Sequence, residues 1–180
     1  MELEYGPQYE AFREEVQSFL EALPNELQRK DFLPKAIERG YIYRHIPKRF
    51  GGSEQPFDPI LETIVSDCFD AHPFDWSWRL GPQNVGMLVP TLLEAGSDAQ
   101  RERFIPPTLV GDAVRCQGYG APGAGSDLAS LRAAAHLDGD EWVINGQKIW
   151  TSDADHAGYM FGMFRTEPEA DKHAGISYLL

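Results

Sequence analysis

Apolar residues recur at helical spacing through the first part of the chain. Tyr9, Phe12, Val16, Phe19, Leu20 and Leu23 share one face at a period near 3.6, which predicts a helix. Pro7 suits its first turn and Pro24 its exit. A shorter helix is predicted from Asp31 to Arg39, with Asp31 as its cap and Gly40 as its stop. Phe57, Ile60, Leu61, Ile64, Val65, Cys68 and Phe69 form a third stripe, with Asp58-Pro59 as cap and first turn. A fourth helix is expected from Pro82 to Ala95, stopped by Gly96 and kinked or divided at Pro90. Ser97-Asp98-Ala99-Gln100 has the form of a capping box before a short helix through Phe104 and Ile105. Pro106-Pro107 is expected to end that helix. These stripes read first as core packing.

From about residue 113 the pattern changes. Val114 to Gln117 suits a strand. Leu131 to Leu137 and Glu141 to Ile144 flank Asp138-Gly139-Asp140, a hairpin signal. Asn145-Gly146 is a second and stronger hairpin signal. Tyr159 to Phe164 and Ile176 to Leu180 read as further strands. Helices come first and strands follow, so the expected class is α+β and not alternating βαβ. The expected division is an all-α N-terminal domain over 1–112 and an antiparallel β domain over 113–180. The last strand runs to residue 180, which predicts an incomplete sheet with an open edge and self-association through it.

Composition narrows the class further. A chain of 180 residues suits one domain or two small ones. A net charge of -12 argues against nucleic-acid binding by bulk attraction. Cys68 and Cys116 form no CxxC, so no disulfide framework is expected. Cys116, inside a strand pattern, reads as a small buried residue. His45, His72, His136, His156 and His173 show no metal-ligand spacing and read as surface or structural. The N-terminus has no basic and apolar signal, and no apolar run approaches the ~20 residues of a membrane span. The expected location is the cytoplasm.

Two segments carry the chemistry. Gly118-Tyr119-Gly120-Ala121-Pro122-Gly123-Ala124-Gly125-Ser126-Asp127 is a Gly/Pro-rich loop whose backbone amides can approach a ligand closely. Asn145-Gly146-Gln147-Lys148-Ile149-Trp150-Thr151-Ser152 reads as a tight turn into a strand that ends in an aromatic plate and two hydroxyls. A planar ligand needs such a plate and polar groups at its edge. Gly118, Gly120 and Gly123 also match G-x-G-x-x-G, with Asp138 twenty residues past the first glycine, the pattern of a nicotinamide-dinucleotide site. That motif needs a helix opening at the loop and a parallel strand after it, and Gly123-Ala124-Gly125 is a poor helix start. Ser126 lies outside any G-x-S-x-G elbow, so it has no hydrolase context.

Together these segments resemble the flavin-binding signature of the acyl-CoA dehydrogenases. Ile46-Pro47-x-x-Phe50-Gly51-Gly52, Pro90 through Gly96-Ser97-x-x-Gln100, Gln117 to Leu131, Asp138-Gly139-Asp140-Glu141, Asn145 to Ser152 and Arg165-Thr166 to Leu180 follow in that family's order. The resemblance implies the family's helical N-terminal domain and part of its middle β domain, with the C-terminal helical bundle absent. It implies FAD as cofactor and α,β-dehydrogenation of an acyl-CoA thioester in lipid metabolism. It implies an electron-acceptor protein and a homo- or hetero-oligomer, with the chain either a fragment of a longer enzyme or one piece of a split enzyme that has a separate C-terminal half. By the same resemblance Gln117, Tyr119 and Gly120 lie along the flavin's pyrimidine edge, and Trp150 packs on its ring. Ser152 bonds near N5 with Thr151 beside it, and Ser126 contacts the thioester arm. The family's catalytic base lies in the bundle, so the resemblance assigns no catalytic residue here. Gly120 and Ala121 stand where the family has Ser or Thr followed by Glu. That departure supports the alternative of a non-catalytic remnant or partner subunit retaining the fold for assembly.

Overall fold

A computed structural model describes residues 5–24, 27–73 and 83–180. Five α-helices come first and five strands follow: α1 (Pro7–Glu21), α2 (Arg29–Glu38), α3 (Pro59–Ala71), α4 (Val89–Ala95), α5 (Asp98–Val110), β1 (Arg115–Gly118), β2 (Ala134–Asp138), β3 (Glu141–Asn145), β4 (Tyr159–Arg165) and β5 (Ile176–Leu179). The chain is therefore a helical region followed by a sheet. Its packing forms two compact units. One contains α1, α2, α3 and α5, and the other contains α4 and the sheet.

In the helical unit the predicted stripes become one core. Val16 and Leu20 of α1, Phe32, Leu33 and Ala36 of α2, and Ile64, Val65, Cys68 and Phe69 of α3 are buried together with Tyr41. The Asp58 cap forms as expected. Its Oδ1 accepts from the amides of Ile60 at 2.9 Å and Leu61 at 3.2 Å, and the Tyr9 hydroxyl donates to Oδ2 at 3.2 Å. Asp58→Ala should therefore cost about 1 kcal/mol, read as a fall of about 3 °C in melting temperature. The capping box at α5 also forms. Ser97 N donates to Gln100 Oε1 at 2.8 Å, and Gln100 N to Ser97 Oγ at 3.2 Å.

Three helix expectations need correction. Asp31 is not the cap of α2; the helix starts at Arg29 behind Gln28, and Asp31 lies in its first turn. Arg29 gains from this early start, because its Nη2 reaches the Leu109 carbonyl at 2.7 Å. Pro106-Pro107 does not end α5, which continues to Val110. Its last turn is held by packing and capping that local sequence does not reveal. Ile105, Thr108 and Leu109 are buried, and the Leu109 carbonyl accepts from Arg29 and from the Tyr43 hydroxyl at 2.8 Å. The helix expected from Pro82 to Ala95 is a π-helical stretch, Gln83–Leu88, followed by α4. Pro90 offers no N–H to the turn before it, and that turn is widened. The expected start at Pro82 lies outside the described residues.

The sheet is mixed, which corrects the wholly antiparallel expectation. β2 and β3 pair antiparallel around Gly139, and β4 and β5 pair antiparallel. β1 pairs with β4 in parallel, from Arg115↔Tyr159 to Gly118↔Gly162, and β2 touches β4 in parallel at Ala134↔Arg165. Turn chemistry fixes the direction of strands joined by a short loop. It says nothing about β1 and β4, which are brought together by the long excursion between them.

Asn145-Gly146 is the other correction. It makes no second hairpin, because β3 ends at Asn145 and no strand is formed before Tyr159. Gly146 has φ +144, and a Cβ there would lie 2.5 Å from Ala133 Cα. The glycine is required by a close backbone approach and not by a turn.

Candidate functional site

The two chemistry-bearing segments meet in the sheet unit. The glycine loop leaves β1, and residues 146–152 leave β3. Ile149 N donates to the Gly120 carbonyl at 3.0 Å. One residue back, Lys148 Nζ donates to the Tyr119 carbonyl at 3.3 Å and to the Met163 carbonyl of β4 at 2.6 Å. Two adjacent residues of one segment thus hold two adjacent carbonyls of the other. Gly120 permits this approach: a Cβ there would lie 2.7 Å from the Ile149 carbonyl oxygen.

The loop folds on itself. Ala124 N donates to the Ala121 carbonyl at 3.0 Å, and both alanines pack in a small core with Leu131. Only a three-residue 3-10 turn, Leu128–Ser130, follows before β2. The opening helix that a G-x-G-x-x-G site requires is not formed, so the nicotinamide alternative loses its structural basis. The parallel partner of β1 arrives through β4, with hairpin β2–β3 between them.

The expected site residues divide by exposure. Gln117 is half-buried, and its Nε2 donates to Met87 Sδ at 3.5 Å. The Tyr119 ring packs edge-on against Phe161 and Tyr178, with centroids 5.9 and 6.3 Å away. Burial pushes the Tyr119 and Tyr178 hydroxyls above the ordinary phenol range, Tyr178 further by its contact with Tyr119. The Tyr119 side chain is therefore part of an aromatic cluster, and its backbone is what borders the loop. The Gly120 amide donates to none of the described residues. Trp150 is 89% exposed at φ +57. Beside it the Thr151 Oγ1 is buried with no hydrogen-bond partner among the described residues. Ser152 and Ser126 are exposed.

Three residues outside the sequence-level set support these segments. Lys148 is one; its ammonium sits 4.8 Å from the Phe164 ring centroid, and desolvation by burial lowers its pKa from the ordinary 10.5. Arg165 is another. Its Nη2 donates to Ala129 O at 2.6 Å, its Nε to Leu131 O at 3.4 Å and its Nη1 to Lys172 O at 3.2 Å. This guanidinium fixes both the end of the glycine loop and the loop between β4 and β5. Asn84, buried in the π-helical stretch, accepts from the Arg115 amide at 2.8 Å and so fixes the start of β1. Each acts on a backbone carbonyl or amide far along the chain, and no local motif marks such a partner.

The acyl-CoA dehydrogenase N-terminal domain matches residues 6–112, and the acyl-CoA dehydrogenase middle domain matches residues 116–180. Acyl-CoA dehydrogenase FadE26 of Mycobacterium tuberculosis is 34% identical over 100% of this chain and 48% of its own length. Acyl-CoA dehydrogenase FadE34 of the same organism is 50% identical over 79% of this chain and 19% of its own length. The crystal structure of the ChsE4-ChsE5 complex from Mycobacterium tuberculosis superposes with TM-score 0.73 and 32% identity, covering 99% of this chain and 48% of the matched one. The chain thus spans less than half the length of the relatives it matches. With both family domains matched in order along it, the chain belongs to the acyl-CoA dehydrogenase family.

Proposed function

We propose that this chain is the N-terminal half of a flavin-dependent acyl-CoA dehydrogenase, with a helical domain over 1–112 and part of the β domain over 113–180. The observation that carries this reading is the group at 150–151. A tryptophan held at positive φ with 89% of its surface exposed is an apolar plate presented to a ligand. Beside it the Thr151 hydroxyl has no hydrogen-bond partner among the described residues, and the half-buried Gly120 amide donates to none of them, so the amide is a donor that a ligand edge can take. A planar ring with a polar rim fits this set. FAD, when bound, supplies a two-electron acceptor for a hydride from the β-carbon of an acyl-CoA thioester. Trp150 would stack on the ring. Gln117, Tyr119 through its backbone, Gly120, Thr151 and Ser152 would hold its polar edges. Ser126 would meet the thioester arm. The base that takes the α-proton would come from a C-terminal half, and electrons would pass on to an acceptor protein. A cytoplasmic location and an oligomeric assembly go with this reading; no helix of the described residues is long and apolar enough to cross a membrane.

Trp150→Ala tests it. The side chain buries little, so stability should change by less than about 0.5 kcal/mol. Loss of the plate should weaken FAD binding about fivefold, or about 1 kcal/mol, read by quenching of flavin fluorescence. Equal FAD affinity in the parent and the variant would remove Trp150 from the site.

Gly120 favours a second reading, a partner subunit that keeps the fold and lacks full cofactor chemistry. The 2.7 Å approach to Ile149 O leaves no space for a hydroxyl-bearing side chain there. The two readings separate on whether FAD co-purifies with the chain when a C-terminal half is supplied.

A further inference from the structure

Lys148 spends a charge where a neutral residue would pack. It is partly buried, and no carboxylate contributes to its pKa shift, which desolvation alone accounts for. It faces the Phe164 ring and two carbonyl oxygens, of Tyr119 and Met163. A desolvated ammonium is weak evidence for stability, since removing it from water costs more than such contacts commonly return. Its bond to the Tyr119 carbonyl points to a different role. The Tyr119 carbonyl and the Gly120 N–H belong to one peptide group. A positive donor on that carbonyl polarises the peptide and strengthens the N–H at its other end. The neighbouring bond from Ile149 N to Gly120 O fixes the direction of the same segment. The Gly120 amide donates to none of the described residues, so the strengthened donor is available to a ligand.

We propose that Lys148 is a positioning residue, whose ammonium on the Tyr119 carbonyl aims and strengthens the Gly120 amide as a donor to the bound flavin. This rests on the flavin reading of the site. It also accounts for the missing hydroxyl at position 120: the backbone amide, reinforced from behind, takes over a donor role that a side chain cannot fill there.

The test uses the full chain, with Lys148→Met, which keeps the apolar stem and removes the charge, and Lys148→Arg, which keeps the charge. FAD affinity is read by flavin fluorescence, folding by thermal melt, and the peptide by the Tyr119 carbonyl and Gly120 amide resonances. Lys148→Met should weaken FAD binding about tenfold and shift the Gly120 amide upfield in the flavin-free chain. Lys148→Arg should stay within about threefold of the parent. In the parent, FAD should move the Gly120 amide resonance. Folded Lys148→Met that binds FAD like the parent overturns the assignment. So does a Gly120 resonance that FAD leaves in place, a result obtainable even if Lys148→Met does not fold. No FAD binding by the parent, alone or with a C-terminal half, overturns the functional reading and this one with it.

Discussion

Gly146→Ala is expected to lower the melting temperature by about 10 °C. Gly146 has φ +144, a region that side chains rarely occupy, and holding alanine there costs about 1–3 kcal/mol. The added methyl would also lie 2.5 Å from Ala133 Cα and 2.7 Å from Ala133 Cβ. Ala133 cannot retreat freely. It is buried against Ala135 and Phe164, and its carbonyl accepts from Arg165 N at 2.9 Å. Overpacking adds about 1–3 kcal/mol, so the sum is about 2–6 kcal/mol. That is a large share of the stability of an ordinary domain. Gly125→Ala is the control: nothing lies within 4 Å of its Cβ position and its φ is not positive, so its melting temperature should match the parent. A Gly146→Ala chain melting with the parent would show that Gly146 is not held against Ala133.

These two glycines show which parts of the sequence were legible. The Asp58 cap, the Ser97 and Gln100 box and the hairpin at Gly139 were readable because each is a bond or turn within four residues. Helix stripes were readable because burial repeats with the helical period. Asn145-Gly146 has the same local chemistry as a hairpin turn, yet the glycine serves a contact with Ala133, which no window around it contains. The two prolines of α5 failed as stops for the same reason, since the last turn is secured by Arg29 and Tyr43. Parallel pairing of β1 with β4 also depends on residues separated by the whole β2–β3 hairpin. For the candidate site, residue type marks Trp150 and the glycine loop. Their juxtaposition came from Lys148 and Ile149, whose partners are Tyr119 and Gly120.

The chain on its own is expected to bind FAD weakly and to show no acyl-CoA dehydrogenase turnover. Removing a proton α to a thioester needs a base held within about 3 Å of it, and a positioned base is worth about 10²–10⁴ in rate. The carboxylates nearest in sequence to Trp150 are Asp153 and Asp155, and both are exposed in the turn that follows it. Asp155 lies 3.2 Å from His156 Nε2, with 76% of its side chain in solvent. A solvated carboxylate on a turn is neither oriented nor desolvated, and both are needed for proton abstraction from carbon. On the proposed reading the plate and the loop would supply one side of a ring site, so FAD held by them alone would leave much of its surface in water. The assay is purified chain with FAD and a panel of acyl-CoA thioesters, reading reduction of an artificial electron acceptor. Supplying the corresponding C-terminal half of a relative should bring flavin retention and acyl-CoA-dependent bleaching together. Turnover by the chain alone would mean that a base lies within residues 1–180. Asp153→Asn and Asp155→Asn would then be the first variants to lose it.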